Sequence, residues 1–324
     1  MPKPRKQQIS LIDTPYYHCT SRCVRRAYLC GKDSKTNKSY EHRRGWVEKR
    51  LIFLSQAYAI DICAYAIMSN HTHIVIKINP EKAKSWTDLE VLNRWHKLHF
   101  GTQLTKKYCK GEDMSIHLSE TFNETVKCYR KRLVNVSWFM RDLNEYIARR
   151  ANSEDECTGR FWEGRFGSQP LLDEAALLSC MAYVDLNPVR AKIANLPEDS
   201  EFTSAHKRIQ ATIKGNQPNY LLPFTGHVKA HKAAGISFQL KDYLQLIDET
   251  GKTMRDDKRG YIDENNNKIL SRLSIREDNW LDLTREFETI FKGAVGAHNS
   301  LERYYYRQQY KRRPNLNQSE KLSA

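Results

Sequence analysis

Apolar positions alternate with polar ones in some stretches of this chain and recur every three or four residues in others, and the two periods predict different elements. Residues 16–23 form an apolar and aromatic run that predicts a strand. Val47, Leu51, Leu54 and Tyr58 then fall at helical spacing and predict a helix over 45–57. In 60–68 the positions Ile60, Ile62, Ala64, Ala66 and Met68 share one face of a strand; in 71–78 Thr72, Ile74, Ile76 and Ile78 alternate with His71, His73, Val75 and Lys77. Ser69-Asn70 between the two predicts an antiparallel hairpin. Trp86, Leu89, Leu92 and Trp95 predict a helix over 85–100, whereas 101–133, with weak periodicity and mixed charge, reads as an insertion. Val136, Phe139, Met140, Leu143, Tyr146 and Ile147 form a stripe that predicts a helix over 136–150. Residues 160–166 predict a strand or extended segment. Asp173 can cap a last short helix that stops near Asn187-Pro188, because the residue before a proline avoids the helical region.

Strand, helix, strand, strand, helix is the order of a small α+β domain, an antiparallel sheet with helices on one face. The face of 71–78 opposite the histidines is apolar apart from Thr72, so the histidine face is expected to be the one that the main core leaves uncovered. Beyond about residue 205 the texture changes to a turn-rich stretch and a basic tail carrying Tyr304, Tyr305, Tyr306 and Tyr310. The reading is therefore a domain over 1–206 and a C-terminal extension, 207–324, of no assigned fold.

Composition narrows the partners. At 324 residues the chain can bury a core without staples, and 53 Lys and Arg against 38 Asp and Glu give a net charge of +15, which favours a polyanion. No apolar run reaches membrane-span length and the N-terminus lacks a signal-peptide core, so a cytoplasmic protein with no membrane partner is expected. Eight scattered Cys then imply reduced thiols. The cluster His18, Cys19, Cys23 and Cys30 matches no common zinc spacing, and residues 19 and 23 share a strand face where Cys acts as a small hydrophobe.

Two pairs of residues carry candidate chemistry. Residues two apart on a strand point the same way, so His71 and His73 present two imidazoles to one metal or phosphate. Chance alone supplies about 0.4 such pairs among 11 His, so the pair needs support. Tyr183 and Asn187, four apart, place a phenol and a carboxamide one helical turn apart. A tyrosine nucleophile suits strand transfer, since its phosphodiester keeps the energy of the broken bond. A tyrosine on so apolar a helix can equally be packing.

The segments YYHCTSR, AYAIMSNHTHIVI, GRFWEGRF and YVDLNPVRA, in that order over residues 15–206, resemble the landmarks of the single-tyrosine HUH transposases, and among them the REP-associated tyrosine transposases. The resemblance implies a ferredoxin- or RRM-like HUH endonuclease core. It implies that His71 and His73 hold Mg²⁺ or Mn²⁺ with Asn187 as third ligand, that Tyr183 is the nucleophile, and that the partner is single-stranded or hairpin DNA. No small-molecule cofactor is implied. The middle residue of the histidine motif, bulky and hydrophobic in the usual pattern, is Thr72 here. A homodimer and a monomer both stay open.

Arg22, Arg25, Arg26, Arg160 and Arg165 flank the candidate residues in sequence and could hold phosphates, while Trp162 offers a face for an unpaired base. Two other readings use the same residues: a nucleic-acid-binding module without catalysis, and a relaxase-type nickase. A zinc-finger regulator is disfavoured by the absence of a Cys/His quartet with finger spacing.

Overall fold

The computed structural model describes residues 8–24, 29–33, 37–113, 115–226, 235–254, 264–310 and 312–322, so Arg25 and Arg26 lie outside the described residues. The chain divides into two compact units, one of residues 1–45, 62–76 and 162–324, the other of 46–61 and 77–161.

In the first unit β1 (Tyr16–Arg22) lies in a four-stranded sheet with β2 (Ile60–Ile67), β3 (His71–Ile78) and β4 (Gly167–Leu171), in the order β2-β3-β1-β4. The sheet is antiparallel: Tyr16 lies opposite Leu171 and Thr20 opposite Gly167, and the β2–β3 hairpin closes with Met68 donating to the His71 carbonyl. Gly167 is needed for the close approach, because a Cβ there would sit 2.6 Å from Thr20 Oγ1. Residues 160–166, expected as a strand or extended segment, supply only a bridge from Trp162 to Cys23; the strand itself is the next segment, GSQPL, to which the sequence pattern assigns no element. Pro170 is tolerated because β4 is an edge strand of this sheet.

The second unit contains most of α1 (His42–Ala57) and the helices α2 (Pro80–Lys84), α3 (Asp88–His96), α4 (Gln103–Cys109), α5 (Ser119–Arg132) and α6 (Val136–Glu154). The helix expected over 85–100 is present but shorter, Asp88–His96, because Thr87 and Glu90 form a capping box that starts it at Asp88. The stretch read as an insertion is helical, and Phe122, Val126 and Tyr129 give α5 its buried face. Trp95 stacks on Tyr129 at 4.5 Å, and the Tyr58 hydroxyl donates to buried Asp142 at 2.5 Å.

Back in the first unit, Asp173 Oδ1 accepts from the Ala176 amide at 3.0 Å and starts α7 (Glu174–Asp185), whose residues from Ala176 onward are all buried. Asn187-Pro188 opens a further turn, α8 (Asn187–Arg190), where a proline in the first turn forfeits no helical hydrogen bond. After α9 (Ser204–Ile213) come α10 (Leu240–Thr253), α11 (Glu264–Arg272), α12 (Glu277–Ile290) and α13 (His298–Arg307). Val75 of β3, Tyr183 of α7, Tyr243 of α10 and Trp280 and Phe287 of α12 belong to one apolar core. The histidine face of the sheet is therefore covered, contrary to the sequence expectation. Part of what covers it, α10 and α12, comes from residues beyond 207, whose packing partner no local periodicity discloses; the rest is α7.

Among the described residues, no helix is long and apolar enough to cross a membrane.

Candidate active site

Strand alternation puts His71 and His73 on one face of β3, and the neighbouring strand β1 adds His18 beside them. His18 Nε2 lies 3.0 Å from His73 Nδ1, with the two rings nearly parallel at 13°. The rings of His71 and His73 meet edge to face at 4.7 Å. From the last turn of α7, Tyr183 stands perpendicular to the His73 ring with centroids 5.7 Å apart. Its hydroxyl donates to Glu288 Oε2 of α12 at 3.3 Å, and the other carboxylate oxygen of Glu288 lies 3.8 Å from His73 Nδ1. Phe287 packs against the rings of both Tyr183 and His18. Arg190 places its guanidinium 4.2 Å from the Tyr183 ring centroid and is held there by the Arg285 carbonyl at 2.9 Å.

Burial governs the protonation of this cluster. His73 and His18 are each 1% exposed, and desolvation lowers both pKa values, that of His73 well below the ordinary histidine range. His71, half-buried, is lowered to about 4 by burial and then by the positive charges of Arg22 and Arg190. All three imidazoles are thus neutral at neutral pH, the form that ligates metal. Burial also raises the Tyr183 phenol to about 12; Arg190 opposes the rise and Glu288 adds to it.

Two polar atoms here are buried without a hydrogen-bond partner, His73 Nε2 and Asn187 Nδ2. An imidazole nitrogen with no partner suits a cation, and rotating the Asn187 amide would offer its oxygen where the nitrogen now goes unpaired. Imidazole nitrogen and amide oxygen are both donor types that a divalent ion accepts. His18, His73 and Glu288 also bring three donor atoms within 4.8 Å of one another, a second group that could hold a metal.

This chain is similar to a REP-associated tyrosine transposase. The solved structure is that of the transposase bound to a REP hairpin, matched over 72% of this chain and 97% of that chain at 13% identity and a TM-score of 0.38. So distant a likeness carries no weight for the chemistry, which rests on the residues themselves. No family model and no curated protein matches the sequence.

Of the residues singled out in the sequence, His71, His73 and Tyr183 come together, and Asn187 is buried one turn beyond Tyr183. Arg22 is exposed at the end of β1, and its carbonyl accepts from the Glu163 amide at 2.8 Å, so the Trp162–Glu163 segment runs beside it. Trp162 is half-buried and Arg165 exposed; Arg160, also exposed, belongs to the second unit. Sequence reasoning missed four contributors. His18 was weighed only within a cysteine cluster, although it sits in the YYHCTSR landmark one strand from His73. Arg190 likewise sits in the YVDLNPVRA landmark, whereas Gln169 and Glu288 carry no local signal.

Proposed function

We propose that this protein is a metal-dependent, single-strand DNA nicking and strand-transfer enzyme of the tyrosine transposase type. The observation that carries the reading is the meeting of His71, His73 and Tyr183 on one patch, where sequence landmarks more than a hundred residues apart converge. His71, His73 and Asn187 would hold a divalent ion, which when bound polarises the scissile phosphate and offsets charge on its oxygens.

Tyr183 supplies the nucleophile. Its Oη forms a bond to phosphorus as the P–O3′ bond breaks, leaving a 5′-phosphotyrosine and a free 3′-hydroxyl; a second 3′-hydroxyl reverses the step and reseals the strand. With a phenol raised to about 12, Tyr183 must give up its proton in the attack rather than before it. Arg190, stacked on the phenol, offsets the charge that develops there. Arg22 and Arg165, both exposed, would hold backbone phosphates, and Trp162 would stack on an unpaired base. In the closed arrangement the Glu288 carboxylate sits between the phenol and His73, where an incoming phosphate would repel it. Glu288 must therefore swing aside before DNA binds.

One observation favours the non-catalytic DNA-binding reading: Tyr183 is 5% exposed beneath α12. Both readings meet the same test, incubation with 5′- and 3′-labelled hairpin-bearing single strands, with Mn²⁺ or chelator. The enzyme reading expects a denaturant-resistant adduct on the 3′-side fragment, lost with chelator. Tight binding with no adduct on any flanking sequence supports the non-catalytic module.

A further inference from the structure

His73 has two ring nitrogens with different surroundings, and the neighbours of one decide the state of the other. Gln169 lies directly opposite His18 in the β1–β4 register. Its Nε2 donates to the carbonyl of Phe291, just past α12, at 3.0 Å, which turns the amide oxygen toward His18 Nδ1 at 3.4 Å. An amide oxygen can only accept, so His18 carries its proton on Nδ1 and leaves Nε2 as a bare acceptor. That acceptor faces His73 Nδ1 at 3.0 Å, so the His73 proton belongs on Nδ1. The remaining nitrogen, His73 Nε2, is then an unprotonated lone pair, and it is the buried atom that lacks a partner. The opposite assignment would put two lone pairs face to face at 3.0 Å and bury an N–H with nothing to accept it.

We propose that Gln169 and His18 are positioning residues: a relay across the sheet from the Phe291 carbonyl through Gln169 and His18 fixes the proton of His73 on Nδ1 and presents Nε2 bare for the metal. The metal-ligating role of His73 rests on the function proposed above; the proton arrangement does not. Histidine ligands commonly donate their second ring N–H to an acceptor that fixes tautomer and orientation, and here the acceptor is another histidine, itself oriented. The relay also gives the C-terminal extension a part in the site, since its far end is a backbone carbonyl at Phe291.

The test begins with the metal-free protein, ¹⁵N-labelled at histidine, in which long-range ¹H–¹⁵N correlations report which ring nitrogen bears each proton; His73→Gln and His18→Gln variants assign the signals. The expected result is Nδ1–H at both His18 and His73. A proton on Nε2 of His73 overturns the proposal, whatever the protein does to DNA. Zn²⁺, as a diamagnetic probe, should shift Nε2 of His73 and keep the Nδ1 proton. Loss of that proton would place the ion among His18, His73 and Glu288 instead, and overturns the relay. By calorimetry, Gln169→Leu should weaken Mn²⁺ binding by about ten- to a hundredfold, while Gln169→Glu, which keeps an acceptor for His18, should restore it to within severalfold. Equal affinity of wild type and a folded Gln169→Leu also counts against the proposal. Should wild type bind no Mn²⁺ while showing the expected tautomers, the metal-enzyme reading fails and the relay stands.

Discussion

Acidification from about pH 7.5 to about pH 4.5 is expected to destabilise the fold through His71 by an amount that follows from linkage. In the folded chain His71 takes up its proton only near pH 4, because burial first, then Arg22, Arg190 and His18, disfavour the cation. The unfolded chain takes it up near pH 6.5, the ordinary histidine value of about 6.5. A lowered folded value means that stability is intact above the unfolded pKa and drains away as the pH falls toward the folded one. Over this interval the two values give a loss of about 2.5 kcal/mol at this residue. Urea unfolding of wild type and His71→Gln at both pH values isolates it, because contributions from carboxylates cancel in the double difference. Wild type should lose about 2.5 kcal/mol more than the variant. Losses equal to within about 0.5 kcal/mol would refute the electrostatic account of this cluster. The variant remains acid-sensitive in its own right, since His18 and His73 are shifted in the same direction.

Three further outcomes are expected. Thr72→Val should stabilise the protein by about 1 kcal/mol, seen as a higher melting temperature, because the Thr72 hydroxyl is buried without a partner on a strand that suits valine. Asp185→Ala should cost about 3–5 kcal/mol in urea unfolding, because fully buried Asp185 accepts from Tyr243 at 2.6 Å, from the Ala205 amide at 2.9 Å and from Ser204, with buried Arg208 as its countercharge. Glu288→Ala should speed adduct formation about fivefold, matching about 1 kcal/mol for a partly exposed charge that no longer opposes the phosphate; a slower or unchanged rate means that Glu288 does not block the site.

The site was legible in the sequence where its signals are local. Period-two alternation put His71 and His73 on one face, because strand geometry fixes that relation within two residues. The Asp173 cap and the hairpin at Ser69-Asn70 are equally local, and both are present. The covering of the site was not legible. Phe287 and Glu288 lie about a hundred residues from Tyr183 on a helix whose apolar stripe names no partner. Strand β4 has no alternating signal, since Gly167 and Pro170 both disfavour a strand interior; an edge position and a tight approach to Thr20 make them acceptable. His18 looked like part of a metal-poor cysteine cluster because its partner, His73, is adjacent only once the sheet order is known.

The central claim, that Tyr183 becomes covalently joined to DNA, is tested most directly by trapping the adduct with hairpin-bearing single strands and Mn²⁺, digesting it with nuclease and trypsin, and sequencing the nucleotide-bearing peptide by mass spectrometry. Cleavage at Arg and Lys isolates residues 166–190, in which Tyr183 is the one tyrosine. The account predicts a 5′-linked nucleotide on that residue. A nucleotide on Tyr146, carried by the separate peptide 142–149, or on any other side chain, would contradict it.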